Sequence, residues 1–422
     1  MSIYDCFCRN RHSIKFRALT AVVLSSALPQ LASADFEKDV EIALKFGQED
    51  ARYGQIKLDL NMRYENADVT GNALKTAEGF MARLRAGYLS PRFYGLQAYA
   101  EFEGNQDIGV NDYNTPRKGV MHNKGYDVIL DPQDTELNQL WLSYSGIADT
   151  FVKVGRQRIK IDNDRFIGNV GWRQMEQTFD AVLLTNKFLP NTTVTAGYIN
   201  GVQRVLSDFQ KTTSPILNIA YDVKDIGKLT AYGYWLDYDE AENFASANQS
   251  YGIRFNGAAK VAENIKILYT TEYAHQSGYG NNPNNYDVDY YHVAGGISSF
   301  GITLKGGMEE LGGDGAGKRF QTPLATLHPF NGWADVFLAT PANGLRDIYG
   351  TAKVMIQGVE LMGVYHEFTD DTGKLDYGNE YDFLISKKFG KHYSLLAKYA
   401  YYNADAYASD TQKFWIQGNI SF

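Results

Sequence analysis

Residues 154–181 read VGRQRIKIDNDRFIGNVGWRQMEQTFDA. Arg156, Arg158, Lys160, Arg165 and Arg173 crowd into this stretch of a chain whose formal net charge is -8. Guanidinium groups form strong charge-assisted, often bidentate hydrogen bonds to carboxylates. The chemistry on offer is therefore attraction of an anion. Two other stretches suggest sharper chemistry and lack its requirements. GGDGAGK (312–318) has phosphate-loop spacing, but Arg319 follows where a Ser or Thr must serve magnesium, and no strand-to-helix context surrounds it. Asp162-Asn163-Asp164 lacks the Gly and distal Glu of a calcium loop and reads as an Asx-rich turn. The seven His are scattered without metal-ligand spacing. No metal, cofactor or enzymatic activity is expected.

Cations act together only where the chain holds them toward one space. In QIKLDLNMRY (55–64), Ile56, Leu58, Leu60, Met62 and Tyr64 share one face, while Lys57, Asp59, Asn61 and Arg63 share the other. FMARLRAGY (80–88) repeats the pattern, with Arg83 and Arg85 opposite Leu84 and Ala86. The same alternation sets Arg254 against Ile253 and Phe255, and Lys305 against Ile302 and Leu304. Lys153 and Lys353 fall on corresponding faces, among Glu101, Glu103, Asp180, Glu272 and Asp382. Period-two segments of nine to eleven residues match a tilted strand that crosses a bilayer. About eighteen such segments lie between Gln55 and Phe422, sixteen being the smaller possibility.

The connections alternate too. Long ones (105–134, 161–171, 275–286, 312–346) follow short ones (90–92, 146–149, 223–227, 261–264, 389–392). Outer-membrane barrels show this asymmetry, with short periplasmic turns and long extracellular loops. The expected fold is all-β, a transmembrane antiparallel up-and-down barrel over residues 55–422. Mean hydropathy of -0.36 fits, because lipid-facing and water-facing residues cancel. Thirty Tyr and forty Gly point the same way.

The ends support export. Arg9, Arg11, Lys15 and Arg17 precede an apolar run at 18–28, and Ala32-Ser33-Ala34 offers a cleavage site. Residues 1–34 are read as a signal peptide, and 35–54 as a short periplasmic segment. Both cysteines, Cys6 and Cys8, lie in the removed part. Without it, 37 basic residues face 48 acidic ones, which disfavours nucleic acid as a partner. The final strand ends on Phe422, which resembles the terminal aromatic read by the outer-membrane assembly machinery.

The stretch 162–181, with GRQ at 155–157, TELNQLWLSY at 135–144, FYGLQAYAEFE at 93–103 and YENADVT at 64–70, resembles the alginate-export family of Gram-negative outer-membrane proteins. The resemblance implies an eighteen-stranded barrel whose electropositive pore passes an anionic polysaccharide. Arg156, Arg158, Arg165 and Arg173 are the positions that match the family's stretch. Arg63, Arg83, Arg85, Lys153, Arg254, Lys305 and Lys353 come from alternation and complete the expected pore lining.

The expected function is passive diffusion of anionic solutes, an acidic polysaccharide or oligosaccharide such as alginate first. The alternatives are a porin for small carboxylates or other nutrients, and a surface-binding barrel that acts through its loops. Expected partners are outer-membrane lipid and lipopolysaccharide, the assembly machinery, the saccharide and periplasmic secretion components, around a monomer. Two questions stay open in the sequence. Alternation from Val152 and Val154 turns Arg156 and Arg158 toward lipid, unless a bulge at Gly155 re-aims them or they rise above the membrane. The arginines either stand free in the pore or are braced by Asp162, Asp164, Glu176 and Asp180.

Overall fold

The computed structural model describes residues 34–117, 120–121 and 123–422; the expected signal segment lies outside these except for Ala34. Helix α1 (Ala34–Leu44) precedes the strands. In chain order these are β1 (Gln55–Val69), β2 (Ala77–Leu89), β3 (Leu96–Asp112), β4 (Pro116–Arg117), β5 (Val120–Met121), β6 (Asp134–Ile147), β7 (Thr150–Gln157), β8 (Thr178–Asn186), β9 (Thr192–Gln203) and β10 (Phe209–Val223). The rest are β11 (Gly227–Leu236), β12 (Asn248–Ala262), β13 (Ile265–Gly278), β14 (Asp287–Ser299), β15 (Ile302–Leu311), β16 (Leu345–Ile356), β17 (Val359–Thr369), β18 (Asp376–Phe389), β19 (Tyr393–Ala404) and β20 (Thr411–Ser421).

Eighteen strands form one sheet, and β4 and β5 pair only with each other. Each sheet strand runs antiparallel to the next, and β20 pairs back onto β1 from Asp59 opposite Ser421 to Val69 opposite Thr411. Leu58 and Phe422 exchange both backbone hydrogen bonds at 2.8 and 3.0 Å and fasten the seam. Closure leaves no edge of the eighteen-strand ring unpaired, the condition for a sheet to stand in hydrocarbon.

Local chemistry sets the register. The turns at 300–301 and 357–358 put both residues at positive φ (Phe300 48°, Gly301 79°; Gln357 50°, Gly358 75°). That is the mirror-image turn whose twist matches the flanking strands. Register then decides which face each side chain takes. Leu84, Leu140, Ile253, Leu304 and Phe383 are exposed on the outside, while Arg83, Arg85, Glu101 and Asp382 are buried inside. An apolar outer band around a polar interior is the barrel pattern.

Both ends of the sheet lie at the rim carrying the short turns, and every connection longer than six residues lies at the other rim. Two long connections, 158–177 and 312–344, turn into the barrel rather than away from it. Ile159, Ile167, Met175, Phe320 and Leu324 are almost fully buried there. The two loops grip each other: Gly168 N donates to Leu324 O at 2.9 Å, and Thr326 N donates to Asp164 O at 2.9 Å. Together they fill the middle of the barrel as a plug.

Candidate functional site

The plug is fastened to the wall mainly by charge. Arg173 reaches Glu65 on β1 at 3.3 Å, Asp131 at 3.6 Å and Asp335 at 2.7 Å. Arg165 meets Glu309 on β15 at 2.7 Å and Asn331 at 3.2 Å. Arg63 on β1 contacts Asp131 at 3.4 Å, lies 4.2 Å from the centre of the Trp172 ring and donates to the Trp172 carbonyl. Buried guanidinium groups are tolerable only when paired and hydrogen-bonded, and each of these is.

Around them the wall repeats the arrangement. Arg83 pairs with Asp59 at 2.6 Å, Arg85 with Glu103 at 2.6 Å and Arg254 with Glu272 at 3.2 Å. Lys353 pairs with Glu360, and Arg158 with Glu101 at 2.9 Å and also with Glu176. Nine of the eleven nominated cations thus have a carboxylate partner, once Arg156 is counted with Asp180. Among the described residues, Lys153 and Lys305 alone of the eleven pair with no carboxylate. Lys153 lies 4.9 Å over the Trp141 ring and Lys305 5.7 Å over the Tyr349 ring. Both stand three residues in from the short-turn rim, on strands eight apart in the eighteen-strand ring, so they occupy nearly opposite walls.

Arg156 and Asp180 do not line the interior. Arg156 stands in register with exposed Leu140 on one side and Asp180 on the other, and its guanidinium lies 5.3 Å over the ring of Phe209, also exposed. Its bonds to the Asp180 carboxylate, 2.7 and 3.0 Å, form on the outer wall. Gly155 does adopt φ 116°, yet the alternation continues through it. The reason is that Leu140 O would sit 2.3 Å from any Cβ there, so the glycine serves a close strand approach. Arg158 lies just past the end of β7, where the backbone leaves the sheet, and it turns inward to its two glutamates. Of the bracing acids expected, Glu176 and Asp180 hold Arg158 and Arg156. Asp164 holds Lys160, and Asp162 bonds Asn218 instead.

Alternation missed a second centre. Lys398 on β19 is buried with its ammonium 3.8 Å from the Trp333 ring centre, 4.3 Å from Trp172 and 5.6 Å from Trp415. Its Nζ is 2.7 Å from His328 Nε2, and His328 Nδ1 is 2.7 Å from Asp335. Asp335 also meets Lys413 of β20 at 3.2 Å. The signal in the sequence was a single Lys on the otherwise apolar inner face of 396–402. Trp415 is 17 positions away on β20, but Trp172, His328 and Trp333 lie 65 or more positions away in the two loops.

A closed ring of eighteen antiparallel strands, apolar outside and charged inside, defines a barrel of the outer-membrane porin type. The family described as alginate export matches residues 61–307, more than half of the chain, and the chain belongs to that family. Among solved structures it is similar to Acinetobacter baumannii OccAB4, with a TM-score of 0.66, 14% identity, and coverage of 88% of this chain and 98% of that one. Pseudomonas aeruginosa OccK9 (OpdG) gives 0.68 at 14% identity, covering 87% and 98%. P. aeruginosa OpdK, solved with vanillate, gives 0.67 at 14%, covering 87% and 98%. At such identity the likeness is one of fold. No curated protein sequence matches the chain.

Proposed function

We propose that the chain is an outer-membrane channel of a Gram-negative bacterium through which anionic solutes diffuse passively, acidic saccharides of short length first among them. The observation that carries this reading is where positive charge is left over. Carboxylates neutralise most interior cations, but Lys153 and Lys305 keep theirs on opposite walls near one rim. At physiological salt, charges are felt over about 8 Å, so wall lysines bias ions crossing that mouth. Membership of the alginate-export family supports an acidic saccharide. The plug favours a short saccharide over a polymer, because a polymer must thread past buried loops.

In this reading the short-turn rim and residues 35–54 are periplasmic, after removal of residues 1–34. The apolar band meets lipid and lipopolysaccharide. The chain works as a monomer, and Phe422 is the feature the assembly machinery takes up. Periplasmic secretion components would dock at the same rim.

Planar-bilayer recording tests the proposal. Anion-selective current that oligogalacturonate blocks supports it; cation selectivity overturns it. The second reading, a porin for small carboxylates, is favoured by the same filled interior. OpdK, a barrel of this fold, was solved with the carboxylate vanillate. Block by benzoate with none by oligogalacturonate selects that reading. Current that appears only after the long loops are removed selects a surface-binding barrel.

A further inference from the structure

The outer wall of the barrel is not smooth. Across β15 to β20 it carries an open apolar trough of about 680 Å³. Two adjacent register rows form it. Ile302, Val354, Leu361 and Ile385 stand in one row, each opposite the next on the neighbouring strand. Ala352, Gly363, Phe383, Tyr399 and Phe414 make the other. Ile302, Phe383 and Ile385 are exposed, which places both rows on the lipid-facing side. The small residues Ala352, Gly363 and Ala397 form the low floor between larger side chains. Lys353 and Lys398 also border the floor, but their ammonium groups turn inward to Glu360 and Trp333.

We infer that this trough is a lipid site, holding one acyl chain of a glycerophospholipid whose phosphate meets Lys387. The inference goes beyond the channel reading and takes from it only the placement of the short-turn rim.

The dimensions of the trough match one leaflet. Its rows cross from β15 to β20, and strand spacing makes that course about 24 Å long. Strands in such barrels tilt about 40°, so the trough climbs about 15 Å from end to end. One leaflet of a hydrocarbon core about 30 Å thick has the same depth. The trough begins at Ile302, the first residue of β15, beside the short-turn rim. It ends at Phe414, seven residues short of the last residue of β20. An acyl chain of the leaflet on the short-turn side therefore fits along it.

Charge marks where the head of the lipid belongs. Lys387 is on the same face of β18 as Ile385, two residues nearer the short-turn rim. It pairs with no carboxylate among the described residues, and its ammonium lies 5.4 Å over the Phe389 ring. A phosphate oxygen forms a stronger bond with an ammonium than a ring face does. Lys387 thus meets a phosphate at the level where lipid heads leave the hydrocarbon. The leaflet then selects the lipid. Lipopolysaccharide fills the leaflet at the long-loop rim, and glycerophospholipid fills the one that holds the trough.

Native mass spectrometry of the full protein tests the site. The protein is folded into vesicles of palmitoyl-oleoyl phosphatidylglycerol and lipid A in equal parts, then extracted into detergent. One phosphatidylglycerol should stay bound to the closed barrel. Gly363→Leu combined with Ala397→Leu fills the trough and should weaken retention about tenfold, equal to about 1.4 kcal/mol. A Cβ at Gly363 meets nothing nearer than 3.7 Å, so the wall accepts the change. Lys387→Gln, which disturbs no ion pair, should weaken retention about threefold, the worth of an exposed charge pair. Ala259→Leu, on the outer face of β12 opposite Ile267, should leave it unchanged. No retained lipid, equal retention by the filled and Ala259→Leu variants, preference for lipid A, or a protein dimer that filling the trough abolishes each overturns the assignment. Bilayer current separates this from the channel reading, because the trough faces away from the pore. Current without retained lipid removes the site alone, and retained lipid without current removes the channel alone.

Discussion

Lys153 and Arg156 lie three residues apart on β7 and end on opposite faces of it. The lysine faces the interior over Trp141, and the arginine is outside with Asp180. Arg156→Ala should therefore leave the reversal potential in a KCl gradient unchanged, whereas Lys153→Gln should shift it toward cations. An Arg156→Ala shift as large as that of Lys153→Gln would falsify the assignment of faces. Arg173 has a different role. Arg173→Ala leaves buried Glu65 without its arginine and takes one cation from Asp131 and Asp335, which keep Arg63 and Lys413; losing one partner of a buried pair costs about 3–5 kcal/mol. The expected result is a lower midpoint of heat-induced gel mobility change, with only partial rescue by Arg173→Lys, whose point charge cannot serve three carboxylates at once. Which residues face inward was legible wherever a strand alternates cleanly, as for Arg83 and Arg254. Their pairing was not. Arg173 and Glu65 are 108 positions apart and Arg165 and Glu309 are 144 apart, and no local pattern encodes such a meeting.

Among the elements, the two inward loops matter most. They bind each other through backbone hydrogen bonds at 168, 324 and 326, and they bind the wall through arginine, tryptophan and Lys398. The strands pair only with one another, so the loops are additions to a ring that is complete without them. Replacing 312–344 with a short Gly-Ser turn should leave a closed barrel and raise single-channel conductance several-fold. A normal folded gel mobility with unchanged conductance would show that the plug does not obstruct the path. The helix α1 is a smaller case. Glu41 meets His392 at 2.8 Å in the β18–β19 turn, and this hydrogen bond holds the Glu41 carboxyl below its ordinary value. A lowered acid contributes its attachment above the ordinary carboxylate range and loses it as pH falls through the lowered value. Limited proteolysis near 45–54 should speed up below about pH 4, and Glu41→Gln should show that faster cleavage already at pH 7. The long loops themselves were legible as turn-rich gaps between alternating runs. Their inward course was not, because apolar loop residues such as Ile167 and Leu324 carry no sign of which surface will cover them.

The molecule as a whole is a ring fastened at one seam, where β20 meets β1 and Phe422 stacks on His392 with ring centres 4.1 Å apart. Strand count, rim asymmetry and the place of both sheet ends were readable from period and spacing alone, because a membrane barrel repeats one simple rule eighteen times. The plug obeys no such rule, and the interior chemistry depends on it. One consequence concerns how such a pore changes over generations. A cation with buried carboxylate partners is replaceable only together with them, so Arg63, Arg165 and Arg173 resist drift as a group. Lys153 and Lys305 answer to no carboxylate, and a single codon change at either alters the charge of the mouth without stranding a buried acid. Divergence of solute preference among descendants of this chain should begin at those two positions, while the paired network stays as inherited.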